Sequence, residues 1–372
     1  MKFRKLSFFL LWLFVFSACG DTDEPADEPV VERRRPRNLA EYNLTTDGLR
    51  HYFANAGYFD VGVAVEPRDL DNPTSVALIR RHFNAIVAEN AMKWDALQPS
   101  EGNFRWTNAD RIVNFAEANN MRVRGHTLIW HNQTPAWVFQ QGNGQPVSRE
   151  VLLQRLRNHV TAVVSRYRGR VYAWDVVNEA IDNGGATYRG SQWFNILGED
   201  FIFEAFRAAR AADPAAKLFY NDYRETDPIK REKIFTLLSR LRAEGLVDGM
   251  GMQGHWNVDW PSNDDLIDAI NRYASLGLEI HITELDVSIY TSQGAPMQAF
   301  TPEVAMRQRA AYTRFFGVFR RHKDRITNVT FWGVHDGNSW LNNWPVQGRA
   351  DHPLLFDRNH NPKEAYFGVI DF

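Results

Sequence analysis

Two glutamates in this sequence stand where bond-breaking chemistry could use them. Glu179 closes the run Trp174-Asp175-Val176-Val177-Asn178-Glu179, and Glu284 lies within Ile282-Thr283-Glu284-Leu285-Asp286. One glutamate after a short apolar run is equally well explained as a charge at a helix start, where the helix dipole favours an anion. Two of them, each with a polar neighbour, are the equipment for cleaving a glycosidic bond. One carboxyl protonates the departing oxygen, and the other attacks the anomeric carbon or activates water. The sequence carries no H-E-x-x-H, no G-x-S-x-G and no phosphate loop.

Other motifs are weaker. Gly249-Met250-Gly251-Met252-Gln253-Gly254 fits G-x-G-x-x-G, but it lies late and runs into His255-Trp256 and Pro261. A dinucleotide fingerprint follows the first strand and opens a helix, so this segment reads as a strand. His281 and Glu284 are three apart, and a regular strand would put them on opposite faces. The same parity separates His126 from His131 and makes His126 a buried hydrogen-bonding residue. Cys19 is the sole cysteine, which rules out an intramolecular disulfide and a cysteine metal site. No cofactor and no metal is expected.

These residues must be positioned by the elements around them. Short β-branched runs alternate with longer helical patterns after residue 58. Strands are expected over 59–65, 84–89, 122–130, 171–178, 217–221, 249–255, 278–285 and 326–334. Helices are expected over 108–119, 149–167, 201–211, 229–243, 266–274 and 304–321. Alternation of this kind implies a parallel sheet covered by helices, and eight units imply a closed (β/α)8 TIM barrel. Such barrels build their sites at the C-terminal strand ends. The groups found there are Glu89-Asn90, His131, Asn178-Glu179, Asn221-Asp222, Gln253 with His255, Glu284 with Asp286, and Trp332.

The chain has 372 residues and a formal net charge of −2, and its 12 tryptophans contribute to an aromatic share of 13%. A near-neutral chain lacks the basic surface that nucleic acid requires. The tryptophans suit stacking on sugar rings as well as core packing. The N-terminus reads as an address. Lys2, Arg4 and Lys5 precede the apolar run Leu6 to Phe16, and Ser17-Ala18 precede Cys19. The run is short for a membrane span and fits a signal segment. Its end resembles a bacterial lipoprotein signal over residues 1–18, with Phe16 where leucine is commoner. Cys19 would then be lipidated and would tie the protein to an outer membrane or cell surface. Residues 19–44 are a charged, proline-containing tether that cannot bury enough apolar area to fold. One catalytic domain is expected over 45–372, and without disulfides it must rest on a large core.

Seven blocks in order resemble a known family. They are Glu89-Asn90-Ala91-Met92-Lys93-Trp94; Arg124-Gly125-His126-Thr127-Leu128-Ile129-Trp130-His131-Asn132-Gln133; Trp174 to Glu179; Tyr220-Asn221-Asp222-Tyr223; Gly251-Met252-Gln253-Gly254-His255; Thr283-Glu284-Leu285-Asp286; and Phe331-Trp332-Gly333-Val334 with Asp336 and Ser339-Trp340. From about residue 47 to the C-terminus the chain resembles a family 10 glycoside hydrolase, an endo-β-1,4-xylanase. The resemblance implies a retaining mechanism with Glu179 as acid/base and Glu284 as nucleophile. It implies that Asn178 holds the 2-hydroxyl of the −1 sugar and that His255 and Asp286 tune the nucleophile. Glu89, Asn90 and Lys93 resemble the grip on the −2 sugar. His131, Trp137 and Gln253 resemble further −1 and −2 contacts, Trp332 and Trp340 aromatic walls, and Tyr223 an aglycone contact. His335 departs from the family pattern, where a small hydroxyl residue is expected.

The implied partner is xylan and its oligosaccharides, acted on by a monomer. Two other readings compete: a two-glutamate barrel acting on β-1,4-glucan or mannan, and a non-catalytic glycan-binding lipoprotein. The pair Glu179 and Glu284 argues against the second. Trp340 and the Glu89/Lys93 grip favour xylan, because an indole at that place would collide with the hydroxymethyl group that glucose carries and xylose lacks.

Overall fold

The structure is a computed structural model, and it describes residues 46–371. The expected signal segment, the tether and Cys19 lie outside the described residues. The strands are β1 (Asp60–Val65), β2 (Ala85–Ala88), β3 (Arg122–Ile129), β4 (Ala173–Asn178), β5 (Lys217–Asp222), β6 (Gly249–Met252), β7 (His255–Asn257), β8 (Glu279–Ser288) and β9 (Ile326–Phe331). All pair in parallel. β1 pairs with both β2 and β9, and β6 pairs with β8, so the sheet closes into a ring.

Burial on both faces explains the composition of these strands. Every residue of β2, β4 and β6 is buried. The outer layer includes the helices Thr107–Ala118, Arg149–Arg166, Asp200–Ala212, Pro228–Ala243, Asn263–Ala274 and Pro302–Arg321, within a residue or three of the expected ranges. A further helix, Pro73–His82, follows β1. Its Asn72 side chain accepts from the Thr74 and Ser75 amides. Ser148, Asp227, Ser262 and Thr301 cap four other helices in the same way. Such caps satisfy amides that have no partner within the helix.

Three expectations about the strands need correction. The sixth strand is interrupted: β6 ends at Met252, the chain leaves the ladder at Gln253 and Gly254, and β7 then pairs with β8 nearer the barrel mouth, His255 opposite Asp286. Gly254 has φ +76°, and a Cβ there would sit 3.0 Å from Ile282, so glycine allows the break. The face parity expected for His126 and His131 also fails. The β3–β4 register shifts between His126 and Ile129, and His131 lies past the strand end. Both histidines line one cavity. Parity fails again for His281 and Glu284, because the β8–β9 register shifts between Ile282 and Leu285.

Beneath the mouth, the barrel interior is polar. Arg124 and Asp175 are both fully buried and paired at 2.6 Å. Arg124 Nε donates to His281 Nδ1 at 3.1 Å, and His281 Nε2 lies 3.0 Å from the Thr327 hydroxyl. His126 Nδ1 lies 3.0 Å from Asp175 and 3.8 Å from Glu284. His126 is therefore the buried hydrogen-bonding residue expected, and it also reaches the site. Buried charges persist only when paired, and this chain of contacts meets that condition from the barrel floor to Glu284. Among the described residues no cluster of histidine, aspartate, glutamate or cysteine could hold a metal ion. No described helix is long and apolar enough to cross a membrane.

Candidate active site

A cavity of about 1020 Å³ opens at the C-terminal strand ends. Glu284, on β8, lies at its base and is held from β5 and β7. Its Oε1 accepts from Asn221 Nδ2 at 2.7 Å, and its Oε2 lies 3.0 Å from His255 Nε2. The Thr283 hydroxyl donates to Asn221 Oδ1 at 2.6 Å and so turns the Asn221 amide nitrogen toward Glu284. The other ring nitrogen of His255 is 3.0 Å from Asp286, which also accepts from Trp340 Nε1 at 2.9 Å.

Electrostatics follow from this packing. Burial alone would push the Glu284 carboxyl up. The charge of His126, the hydrogen bond and charge of His255, and the charge of Lys93 outweigh burial and hold it at about 2. Burial likewise opposes the charged form of His255, but Asp286 and Glu284 raise it well above the ordinary histidine range. His255 is thus a cation between two carboxylates.

Glu179 is set differently. It follows β4 with φ +59°, its amide donates to the Asn221 carbonyl at 2.9 Å, and its own carbonyl accepts from Arg189 Nε at 2.9 Å. Its Oε1 accepts from Gln253 Nε2 at 3.0 Å, and its Oε2 lies 3.9 Å from His131 Nε2. Among the described residues no lysine or arginine pairs with its carboxyl, and the nearest ring nitrogen is that of His131. Burial, with Arg189 nearby, takes His131 down to about 4 and leaves it neutral. The Asn178 amide lies 2.9 Å from that of Asn221 and 3.1 Å from that of Gln253, between the two glutamates.

The walls of the cavity differ in chemistry. On one side Lys93 is buried, and its Nζ donates to Asn90 Oδ1 and Gln133 Oε1, each at 2.9 Å. Asn90 Nδ2 donates to Glu66 Oε1 at 2.6 Å. Burial, then the neighbouring Glu66, raises the Glu89 carboxyl to about 7, so it can donate as well as accept near neutrality. Trp332 packs with Ala64, Val87 and Trp340, and both indoles approach His255, at ring distances of 6.3 and 5.0 Å. On the other side the Tyr223 hydroxyl accepts from Arg189 at 2.9 Å and from Asn183 at 2.5 Å.

Residues 48–372 match the profile of Glycosyl hydrolase family 10. The chain belongs to that family. It is 47% identical over 319 residues to endo-1,4-β-xylanase B of Paenibacillus barcinonensis, covering 85% of this chain and 96% of the relative. It is 48% identical over 327 residues to an endo-1,4-β-xylanase of Geobacillus stearothermophilus, covering 87% and 98%. Among solved structures, xylanase XynB of P. barcinonensis superposes with a TM-score of 0.83 at 46% identity, covering 87% of this chain and 98% of that one. Xylanase B of Clostridium stercorarium F9 gives 0.84 at 41%, covering 88% and 100%.

The cavity brings together Glu89, Asn90, Lys93, His131, Asn178, Glu179, Tyr223, Gln253, His255, Glu284, Asp286, Trp332 and Trp340. Trp137 is the exception. It packs edge-on against Trp94, donates to the Gln98 carbonyl at 3.3 Å and lies outside the cavity lining. Trp130 lines the cavity instead, with Lys93 Nζ 4.8 Å from its ring. From the sequence, Asn221 and Gln133 stand in the quoted motifs with no role assigned, and Arg189 is not singled out. Asn221 carried a signal as a polar strand end. Gln133 and Arg189 sit in loops after β3 and β4, where no periodicity marks them. His335 caps the turn Asp336–Asn338 and packs its ring, tilted by 42°, against that of His360 at 4.2 Å, so it belongs to the fold of the loop that carries Trp340.

The depressed Glu284 value depends on His255. ¹³C NMR titration of labelled glutamate is expected to place the Glu284 midpoint at about 2. In His255→Asn the midpoint should rise, so that the carboxylate is lost at a higher pH. An unmoved midpoint would mean that His255 does not hold the charge.

Proposed function

We propose that the chain is a retaining endo-1,4-β-xylanase in which Glu284 is the nucleophile and Glu179 the acid/base. The observation that carries the assignment is the contrast between the two carboxyls. Glu284 is held ionised by His255, Lys93 and His126, as an attacking oxygen must be. Glu179 rests on the neutral amide of Gln253, a setting compatible with carrying and returning a proton.

The reaction then runs in two steps. A Glu284 oxygen attacks the anomeric carbon while Glu179 gives its proton to the departing glycosidic oxygen. A glycosyl ester on Glu284 results. Glu179, now ionised, takes a proton from water, whose oxygen attacks the same carbon and releases Glu284. Asn178 lies between the two carboxyls, where it can hold the 2-hydroxyl of the −1 sugar. His255 and Asp286 keep a positive charge beside Glu284 as it alternates between carboxylate and ester. Lys93, Asn90 and Glu89 grip the −2 sugar, His131 and Gln253 add contacts at −1 and −2, and Tyr223 serves the aglycone side. No step calls for a metal or cofactor.

Xylan is favoured over glucan by Trp340, pinned by Asp286 against the ring of His255. An indole fixed there leaves little room for a hydroxymethyl group on the −1 sugar. The names of the relatives agree. The lipoprotein reading rests on residues 1–19, which precede the family match at residue 48.

Reducing-sugar release on xylan, carboxymethyl cellulose and mannan is expected to be dominated by xylan. Glu284→Gln should abolish turnover and leave xylan binding nearly intact, because the nucleophile acts mainly in the transition state. Residual hydrolysis above a few per cent would remove Glu284 from the role. Separately, Cys19→Ser should free the enzyme from the membrane fraction or stall its processing. Unchanged membrane association would refute the anchor.

A further inference from the structure

Glu179 sits in the left-handed backbone region, which residues bearing a Cβ avoid. Something must hold the chain there. The next two residues, Ala180 and Ile181, are buried, and both of their amides donate to the same atom, the Tyr220 hydroxyl, each at 3.0 Å. Among the described residues that hydroxyl is the one acceptor these two amides have, and its own proton goes to Asp222 Oδ2 at 2.5 Å. The other Asp222 oxygen accepts from Lys230 Nζ at 2.7 Å. Lys230 Nζ also donates to Asn183 Oδ1 at 2.8 Å, farther along the same loop. Tyr220, Asp222 and Lys230 are all buried, and none of them lines the cavity.

We propose that Tyr220, Asp222 and Lys230 form a positioning unit that fixes the turn carrying Glu179 and so aims its carboxyl at the leaving-group oxygen. The hydroxyl is suited to this because it both accepts and donates. Asp222 and Lys230 orient its proton away from the turn, so its lone pairs face Ala180 and Ile181. The unit lines no part of the cavity and reaches Glu179 through the turn. It also borders Tyr223, whose amide donates to Asp222 Oδ1 at 2.9 Å and whose ring lies 3.9 Å from Lys230 Nζ. A graded aryl series, in which the sugar part stays the same, therefore separates loss of proton transfer from loss of an aglycone contact. The proposal rests on the reading of Glu179 as acid/base.

Tyr220→Phe keeps the ring and deletes the hydroxyl. Loss of aim should matter only where the leaving group needs a proton. The readout is kcat/KM, which reports the first, bond-breaking step, across xylohexaose and aryl β-xylobiosides of falling leaving-group basicity. For xylohexaose a loss of roughly 10- to 100-fold is expected, the scale of a misplaced general acid. For 2,4-dinitrophenyl β-xylobioside, which departs unprotonated, the loss should stay below about threefold, because proton transfer contributes little to that step. Equal losses on both substrates, or none on either, would overturn the proposal. If Tyr220→Phe does not fold at the assay temperature, Asp222→Asn should shift the same ratio in the same direction, and a ratio unchanged there would overturn it equally. Glu179→Ala, assayed with the dinitrophenyl substrate and added azide, checks the underlying reading. Restored turnover with formation of a xylobiosyl azide supports Glu179 as acid/base. Its failure would discard that reading, and the positioning unit with it, whatever Tyr220→Phe shows.

Discussion

The site depends on keeping one buried carboxylate charged. Removing a carboxylate from water costs several kcal/mol even after the protein relaxes, and Glu284 is 4% exposed. A carboxyl held at about 2 instead of its ordinary 4.5 is favoured in its ionised form by about 3 kcal/mol. The groups that achieve this come from separate parts of the ring: Asn221 from β5, His255 from β7, His126 from β3 and Lys93 from the loop after β2. The closed barrel gathers all four around one carboxylate. The buried Arg124–Asp175 pair beneath them holds His126 in place, so the polar interior of the barrel and the charge at its mouth form one construction.

The second glutamate is governed by geometry more than by charge. Glu179 has a strained backbone, an amide tied to Asn221 and a carbonyl tied to Arg189. Asn221 therefore serves both glutamates, through its carbonyl to one and its side chain to the other. A shift of β5 would disturb both at once. The same strand supplies Tyr220 and Asp222, both buried, so the support for the Glu179 turn and the hold on Glu284 lie side by side on β5. Precise placement of two carboxyls on opposite sides of one bond is better served by strand ends than by free loops.

Much of this was legible in the sequence, for physical reasons. Parallel strands covered on both faces must be continuously apolar, so the polar residues ending them were conspicuous, and Glu179, Gln253, Glu284 and Asp286 stood out. Alternation failed at His126 and Glu284 because register shifts break the two-residue period that the reading assumes. Trp137, which packs on Trp94 outside the cavity lining, shows why a tryptophan that lines a cleft and one that packs nearby look the same in sequence. Tyr220 was hidden in the apolar run Leu218-Phe219-Tyr220, where a buried hydroxyl carries no periodic signature. Arg189 and Gln133 act from loops whose paths are set by tertiary contacts, which a single sequence does not display.

A retaining mechanism requires that Glu284 form a covalent bond to the sugar. A 2,4-dinitrophenyl 2-deoxy-2-fluoro-β-xylobioside would test it directly, since the fluorine slows both steps and the good leaving group lets the first proceed. Mass spectrometry of the inactivated enzyme should show one fluoroxylobiosyl group per chain, mapped by peptide digestion to Glu284. An adduct on another residue, or rapid turnover with inverted product and no adduct, would contradict the account.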